Sequence, residues 1–189
     1  MLVPRFNYHR PHSLKEACEM KAEFKGKACF LAGGTDLLVN MKHGKVAPEN
    51  IISLGDIEEM RLHSVDWRNG ITRIGPCGII SDLTREKFLL PFTALRTGME
   101  GLGSPLIRNA ATIGGNIVTA RPAADVPPSL IAYNGKVVLS SIVGNREVLL
   151  DDFFQGPGQT MLNEDEMLSE IVIDHLAPYT GSAYIKLGM

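Results

Sequence analysis

Ala32-Gly33-Gly34-Thr35-Asp36-Leu37-Leu38 and Ala111-Thr112-Ile113-Gly114-Gly115-Asn116-Ile117 lie about eighty residues apart, and each follows or breaks an apolar run. Adjacent glycines remove the side chains that would block close approach, so several backbone N–H groups can turn toward one oxyanion. Thr35, Thr112 and Asn116 add short side-chain donors. Loops of this kind cradle phosphate, and a matched pair points to a pyrophosphate, hence a dinucleotide, gripped from two sides. Glycine pairs also occupy tight turns and helix caps, where glycine adopts positive φ without steric cost. Neither stretch has the order Gly-x-Gly-x-x-Gly and no Gly-x-x-x-x-Gly-Lys-Ser/Thr occurs, which disfavours the two commonest nucleotide folds.

The elements that must position these stretches can be read coarsely. Ser13-Leu14-Lys15-Glu16 has capping-box spacing, and the segment to Phe24 predicts a helix stopped at Gly26. Cys29-Phe30-Leu31-Ala32 reads as a short buried strand running into the first glycine stretch, Asp36 to Lys42 as a helical turn, and Asn50-Ile51-Ile52-Ser53-Leu54 as another strand. A βαβ-like unit over residues 1–57 follows. From Arg61, two short strands (61–65 and 71–74) flank Asp66-Trp67-Arg68-Asn69-Gly70, which has hairpin-turn chemistry. Ser81 is placed to cap a helix through Lys87, Pro91 to open a second through Met99, and Pro127 and Pro128 to open one over 126–133. Residues 136–141 and 146–150 form a second hairpin through Gly144-Asn145, and 168–174 reads as a later strand. The fold class is α+β: a small mixed unit against a larger antiparallel one (58–178), with the glycine stretches meeting at the seam. Ligands commonly occupy such seams.

Composition narrows the function classes. At 189 residues and 44% hydrophobic content the chain can bury a real core, and its net charge of −2 with scattered Lys and Arg argues against nucleic acid as a partner. Cys18, Cys29 and Cys77 are odd in number, far apart and never in Cys-x-x-Cys, so they read as buried small hydrophobes rather than cluster or disulfide ligands. His9, His12, His43, His63 and His175 lack metal-ligand spacing. No apolar stretch approaches a membrane span and the N-terminus lacks a signal-like core, so a cytoplasmic location is expected.

Taken with Ile107-Arg108-Asn109-Ala110 before the second stretch, and with Asp151-Asp152-Phe153-Phe154-Gln155-Gly156-Pro157-Gly158, the two glycine segments resemble the flavin-binding subunit of molybdenum hydroxylases. That family includes the FAD domain of xanthine dehydrogenase and the medium subunit of aerobic carbon monoxide dehydrogenase, and the resemblance runs from about Phe6 to Lys186. It implies a two-subdomain FAD-binding fold of the PCMH/VAO type. Ala32, Gly33, Gly34, Thr35, Asp36 and Leu37 would wrap the FAD diphosphate from one side, and Ala111, Thr112, Gly114, Gly115 and Asn116 from the other. Asp125 resembles the family's acidic residue near the ribityl chain, and it also stands where a helix N-cap before Pro127 would. Met167 and Leu168 match positions near the adenine, where they could equally be core residues. Tyr184 and Lys186 match the segment that approaches the isoalloxazine ring, close to a chain end that could fray.

What the resemblance implies for activity is electron transfer. Iron–sulfur clusters and a molybdenum cofactor would sit on partner subunits, an iron–sulfur small subunit and a molybdopterin-binding large subunit. FAD here would collect single electrons and hand pairs to an acceptor such as NAD or quinone. Alternatives are a flavoenzyme like UDP-N-acetylenolpyruvoylglucosamine reductase, and a truncated non-catalytic nucleotide-binding or assembly module. Family members continue past the Ser-Ala-Tyr-x-Lys-Leu stretch into a further domain, of which residues 179–189 would be the start; that domain is expected to be a separate polypeptide or lost by truncation.

Overall fold

The structure, a computed structural model, describes residues 3–187; Met1, Leu2, Gly188 and Met189, at the outer ends of the expected first and last segments, lie outside the described residues. The chain begins with a short strand, β1 (Asn7–His9), and helix α1 (Leu14–Phe24). Ser13 caps α1 as its spacing predicts, its hydroxyl accepting from the Glu16 N–H at 3.1 Å, while the Glu16 carboxylate accepts from the His12 N–H at 2.8 Å. Strand β2 (Ala28–Leu31), helix α2 (Leu37–Lys42) and strand β3 (Asn50–Ser53) follow. The three strands form a parallel sheet in the order β1-β3-β2. Every residue of β3 is buried, the pattern of a central strand covered on both faces.

The second sheet is antiparallel. Hairpin β4 (His63–Asp66) and β5 (Ile71–Ile74) turns through the predicted loop, where Asp66 Oδ1 accepts from the N–H groups of Arg68 and Asn69. A run of short helices comes next: α3 (Ile80–Leu83), α4 (Thr93–Glu100), α5 (Pro105–Arg108), α6 (Ile113–Val118) and α7 (Pro127–Ala132). The chain returns as hairpin β6 (Lys136–Ser140) and β7 (Asn145–Leu149), helix α8 (Leu150–Phe153), the small pair β8 (Phe154–Gly156) and β9 (Gln159–Thr160), and the long strand β10 (Met167–Asp174). Strand order is β4-β5-β10-β6-β7, with β10 central.

Several boundaries differ from expectation for tertiary reasons. Helix α3 begins at Ile80, not after a Ser81 cap, because the Ile80 N–H donates to the Ala111 carbonyl and Ile79 bridges Thr112. Helix α4 begins two residues beyond Pro91, after Phe92 has been sunk into the core at 2% exposure. The second glycine stretch is the start of a helix rather than a loop, with Thr112 as N-cap.

Two cores result. The larger, under the antiparallel sheet, includes Ile113 and Ile117 of α6, both fully buried. Burying each contributes roughly 1.5–3 kcal/mol. The smaller, around α1 and the parallel sheet, takes Cys77 and Met167 from beyond the hairpin and from β10. The two units therefore interlock through shared side chains.

Candidate functional site

At the seam the two glycine stretches touch. A β-carbon on Gly33 would lie 2.0 Å from the Ala110 carbonyl oxygen, and one on Gly114 would lie 2.4 Å from Pro76 Cβ. Both glycines are needed for close packing of backbone on backbone. Gly34 is a different case: its φ of +72° places it in the left-handed region that glycine enters freely.

The backbone donors of the two stretches are used differently. Among the described residues, no N–H from Gly33 through Leu37 donates to an acceptor in the chain. In the second stretch the N–H groups are taken: Ile113 donates to Gly78 at 3.0 Å, Gly114 to Pro76 at 2.8 Å and Asn116 to Thr112 at 3.1 Å. Gly115 N–H donates to the capping hydroxyl of Thr112 at 3.1 Å. The expectation that both stretches present backbone N–H groups thus holds for one only. The first is an open nest of amides, which suits an anion; the second offers side chains.

Around this contact lies a cavity of about 390 Å³. It is lined by Ala32 through Leu37 from the first stretch, by Ala111, Thr112, Gly114, Gly115 and Asn116 from the second, and by Met167 and Leu168 at the start of β10. Phe30, Leu54, Met60, Pro76, Cys77 and Leu162 add apolar surface. Burial pushes the Cys77 thiol up to about 11, so it remains neutral in this wall. Glu166 also lines the cavity, with its carboxylate fixed by Arg146 through Nε at 2.6 Å and Nη2 at 2.7 Å. That bidentate hydrogen bond holds Glu166 well below the usual carboxylate range.

Asp125, Tyr184 and Lys186 line a second, more open cavity of about 730 Å³ on the α4 and α7 side. Asp125 is only 6% exposed. Tyr184 donates its hydroxyl to Oδ1 at 2.8 Å, and Lys186 Nζ reaches both carboxylate oxygens at 2.7 and 2.9 Å. Burial first, then the Asp125 hydrogen bond, pushes the Tyr184 phenol up to about 12. The N-cap of α7 is Val126, not Asp125, because the carboxylate is engaged by these two side chains. Asn116 lines the first cavity, and its Oδ1 accepts from the N–H of Val126, the residue after Asp125, at 3.3 Å.

Residues 4–175 match the family described as the FAD binding domain in molybdopterin dehydrogenase. The chain belongs to this family. It is 36% identical to the carbon monoxide dehydrogenase medium chain of Hydrogenophaga pseudoflava, covering 99% of this chain and 65% of that one. It is 30% identical to the nicotinate dehydrogenase FAD-subunit of Eubacterium barkeri, covering 96% of this chain and 62% of the other. The solved carbon monoxide dehydrogenase from Hydrogenophaga pseudoflava superposes with a TM-score of 0.94 at 34% identity, over 100% of this chain and 65% of that one. The chain thus spans less than two thirds of the length of these relatives.

Family membership makes the fold the PCMH-type FAD-binding fold and FAD the cofactor of this domain. The residues fit such a group: a nest of undonated amides for phosphate opens on a cavity with an apolar wall. The structure brings most of the sequence-predicted residues to the seam and separates Asp125, Tyr184 and Lys186 from them. The apolar wall was not found from sequence. Its residues come from β2, the segment after β3, the turn after β5 and the loop before β10, with no motif to mark them. Thr119, also in the lining, stands one helical turn beyond Gly115 and donates to its carbonyl at 2.7 Å, a spacing readable only once α6 is a helix.

Proposed function

We propose that this FAD-binding domain is the electron-transfer part of a molybdenum hydroxylase-type oxidoreductase, working in a cytoplasmic complex with an iron–sulfur small subunit and a molybdopterin-binding large subunit. Bound FAD supplies the conversion between single electrons, arriving from clusters on a partner, and pairs leaving to an acceptor such as NAD or quinone. The observation that carries this reading is the open amide nest beside the seam cavity in a chain of this family.

Within it, the amides of Gly33 through Leu37 and the Thr35 hydroxyl hold the pyrophosphate. Thr112 and Asn116 close on it with side-chain groups, above Ala111 and the glycine pair. Met167 and Leu168, with the apolar wall, would hold the adenine. Asp125, Tyr184 and Lys186 would hold the ribityl chain and ring, with the Asp125–Lys186 pair keeping the cation in place. The substrate is set elsewhere, since relatives named for carbon monoxide and for nicotinate align over nearly the whole chain. Residues 1–57 and 58–178 act as the two halves of the clamp, and 179–189 lead toward what the longer relatives carry beyond it.

The test is direct. Apo-protein incubated with FAD and desalted is expected to show a flavin absorbance spectrum and to release FAD on acid treatment; folded protein that retains no flavin would contradict the assignment. Co-expression with candidate iron–sulfur and molybdopterin subunits is expected to yield a complex in which the flavin bleaches on adding the partner's substrate.

A further inference from the structure

Arg121 follows α6 after the C-cap Thr119 and one left-handed residue, Ala120, with φ 48°. That conformation costs a residue with a side chain roughly 1–2 kcal/mol, so it persists only where the surroundings enforce it. Here they do. Gly158 donates its N–H to the Ala120 carbonyl at 2.9 Å, and Ala124 donates to the Arg121 carbonyl at 3.0 Å. The turn sends the guanidinium across the seam, where Nη2 lies 3.2 Å from Asp36 Oδ1. Asp36 belongs to the run of undonated amides and lines the cavity. A pyrophosphate seated on those amides would face this carboxylate, and like charges at such range repel.

The pair is an unpromising stabiliser of the fold. Its side chains are 53% and 43% exposed, and ion pairs that open to water contribute little. Its position suits an anion better: one guanidinium has five donors, only one of which is engaged with Asp36, and its planar fork matches phosphate oxygens.

We propose that Arg121 is a phosphate-binding residue of this site, resting on Asp36 when no anion is present and turning to the pyrophosphate when FAD binds. The proposal rests on the FAD reading above. It gives the second unit a cation for the cofactor, complementing the backbone amides of the first.

The test is FAD affinity of the whole chain, by titration of flavin fluorescence at about 20 and about 300 mM NaCl, a range over which screening changes strongly. Arg121→Ala is expected to weaken binding about tenfold at low salt and less at high salt, with the melting temperature of the apo-protein unchanged; Arg121→Lys is expected to keep part of the affinity. Asp36→Asn is expected to tighten binding, and the double variant to bind several-fold more weakly than Asp36→Asn alone. Equal affinity of Asp36→Asn and the double variant would overturn the proposal, because Arg121 would then act only on Asp36. Unchanged affinity of Arg121→Ala at low salt would overturn it as well. Failure of the unsubstituted chain to bind FAD would overturn the FAD reading itself, and the proposal with it.

Discussion

The two Gly-Gly segments share a dipeptide and a cavity, yet their glycines answer different demands. Gly34 supplies a left-handed turn that leaves the amides from Gly33 to Leu37 open, whereas Gly114 and Gly115 lie inside a helix whose amides are already bonded. Gly33 and Gly114 are the true counterparts, since each removes a β-carbon from a tight backbone contact, Gly33 across the seam with Ala110 and Gly114 within the larger unit with Pro76. Gly115 differs again: its β-carbon would meet only the Thr112 hydroxyl, at 2.8 Å. Glycine pairs therefore mark where chain segments must approach closely, and the hydrogen-bond inventory decides which segment keeps donors for a ligand.

The comparison can be broken most forcefully at these two glycines. Gly33→Ala and Gly114→Ala are each expected to lower apo-protein stability by about 2–3 kcal/mol through overpacking against backbone, read as the urea midpoint. Stability equal to wild type would show that the contact is dispensable. Gly34→Ala is expected to cost less, about 1–2 kcal/mol for the left-handed residue, but to lose FAD affinity tenfold or more as the nest deforms. Affinity retained in that variant would remove the nest from the account.

Thr112→Ala sharpens the contrast from the other side. It is expected to cost about 1 kcal/mol, the usual value of an N-cap, with Thr112→Ser restoring stability. A loss of FAD affinity as large as that of Gly34→Ala would make the second segment an equal phosphate binder. At neutral pH the smallest effect concerns Cys77. Burial raises its thiol from the usual 9.0 to about 11, so the folded chain keeps a proton that the unfolded chain releases. The stabilisation is complete below about pH 9 and is lost as pH rises through about 11. Urea midpoints for wild type are expected to decline across that window, by the equivalent of about 2–3 kcal/mol for a shift of this size, and Cys77→Ala to flatten the decline; an identical decline in Cys77→Ala would assign it to another group.

How far the sequence could be read follows the range of the forces involved. Helix α1 was legible because Ser13 and Glu16 settle its start within four residues, and the β4–β5 hairpin because Asp66 through Gly70 carry their own turn bonds. The sequence of helix α6 reads as a loop because two glycines weaken helix propensity, and its start is fixed by distant carbonyls of Pro76 and Gly78. Strand β1, three residues long and largely exposed, leaves no hydrophobic pattern and depends on pairing with β3. At the site, the residues within the two motifs were legible. The apolar wall and the contact of Asp125 with Lys186, sixty-one positions apart, arise only from tertiary packing.

The central claim is that phosphate-binding amides belong to the first segment alone, and backbone amide hydrogen exchange on apo and FAD-loaded protein tests it most directly. The account predicts that the amides of Gly33 through Leu37 exchange rapidly in the apo-protein and become protected when FAD binds, while those of Gly114 through Asn116 are protected in both states. Rapid exchange of Gly114 through Asn116 in the apo-protein, followed by protection on FAD binding, would contradict it.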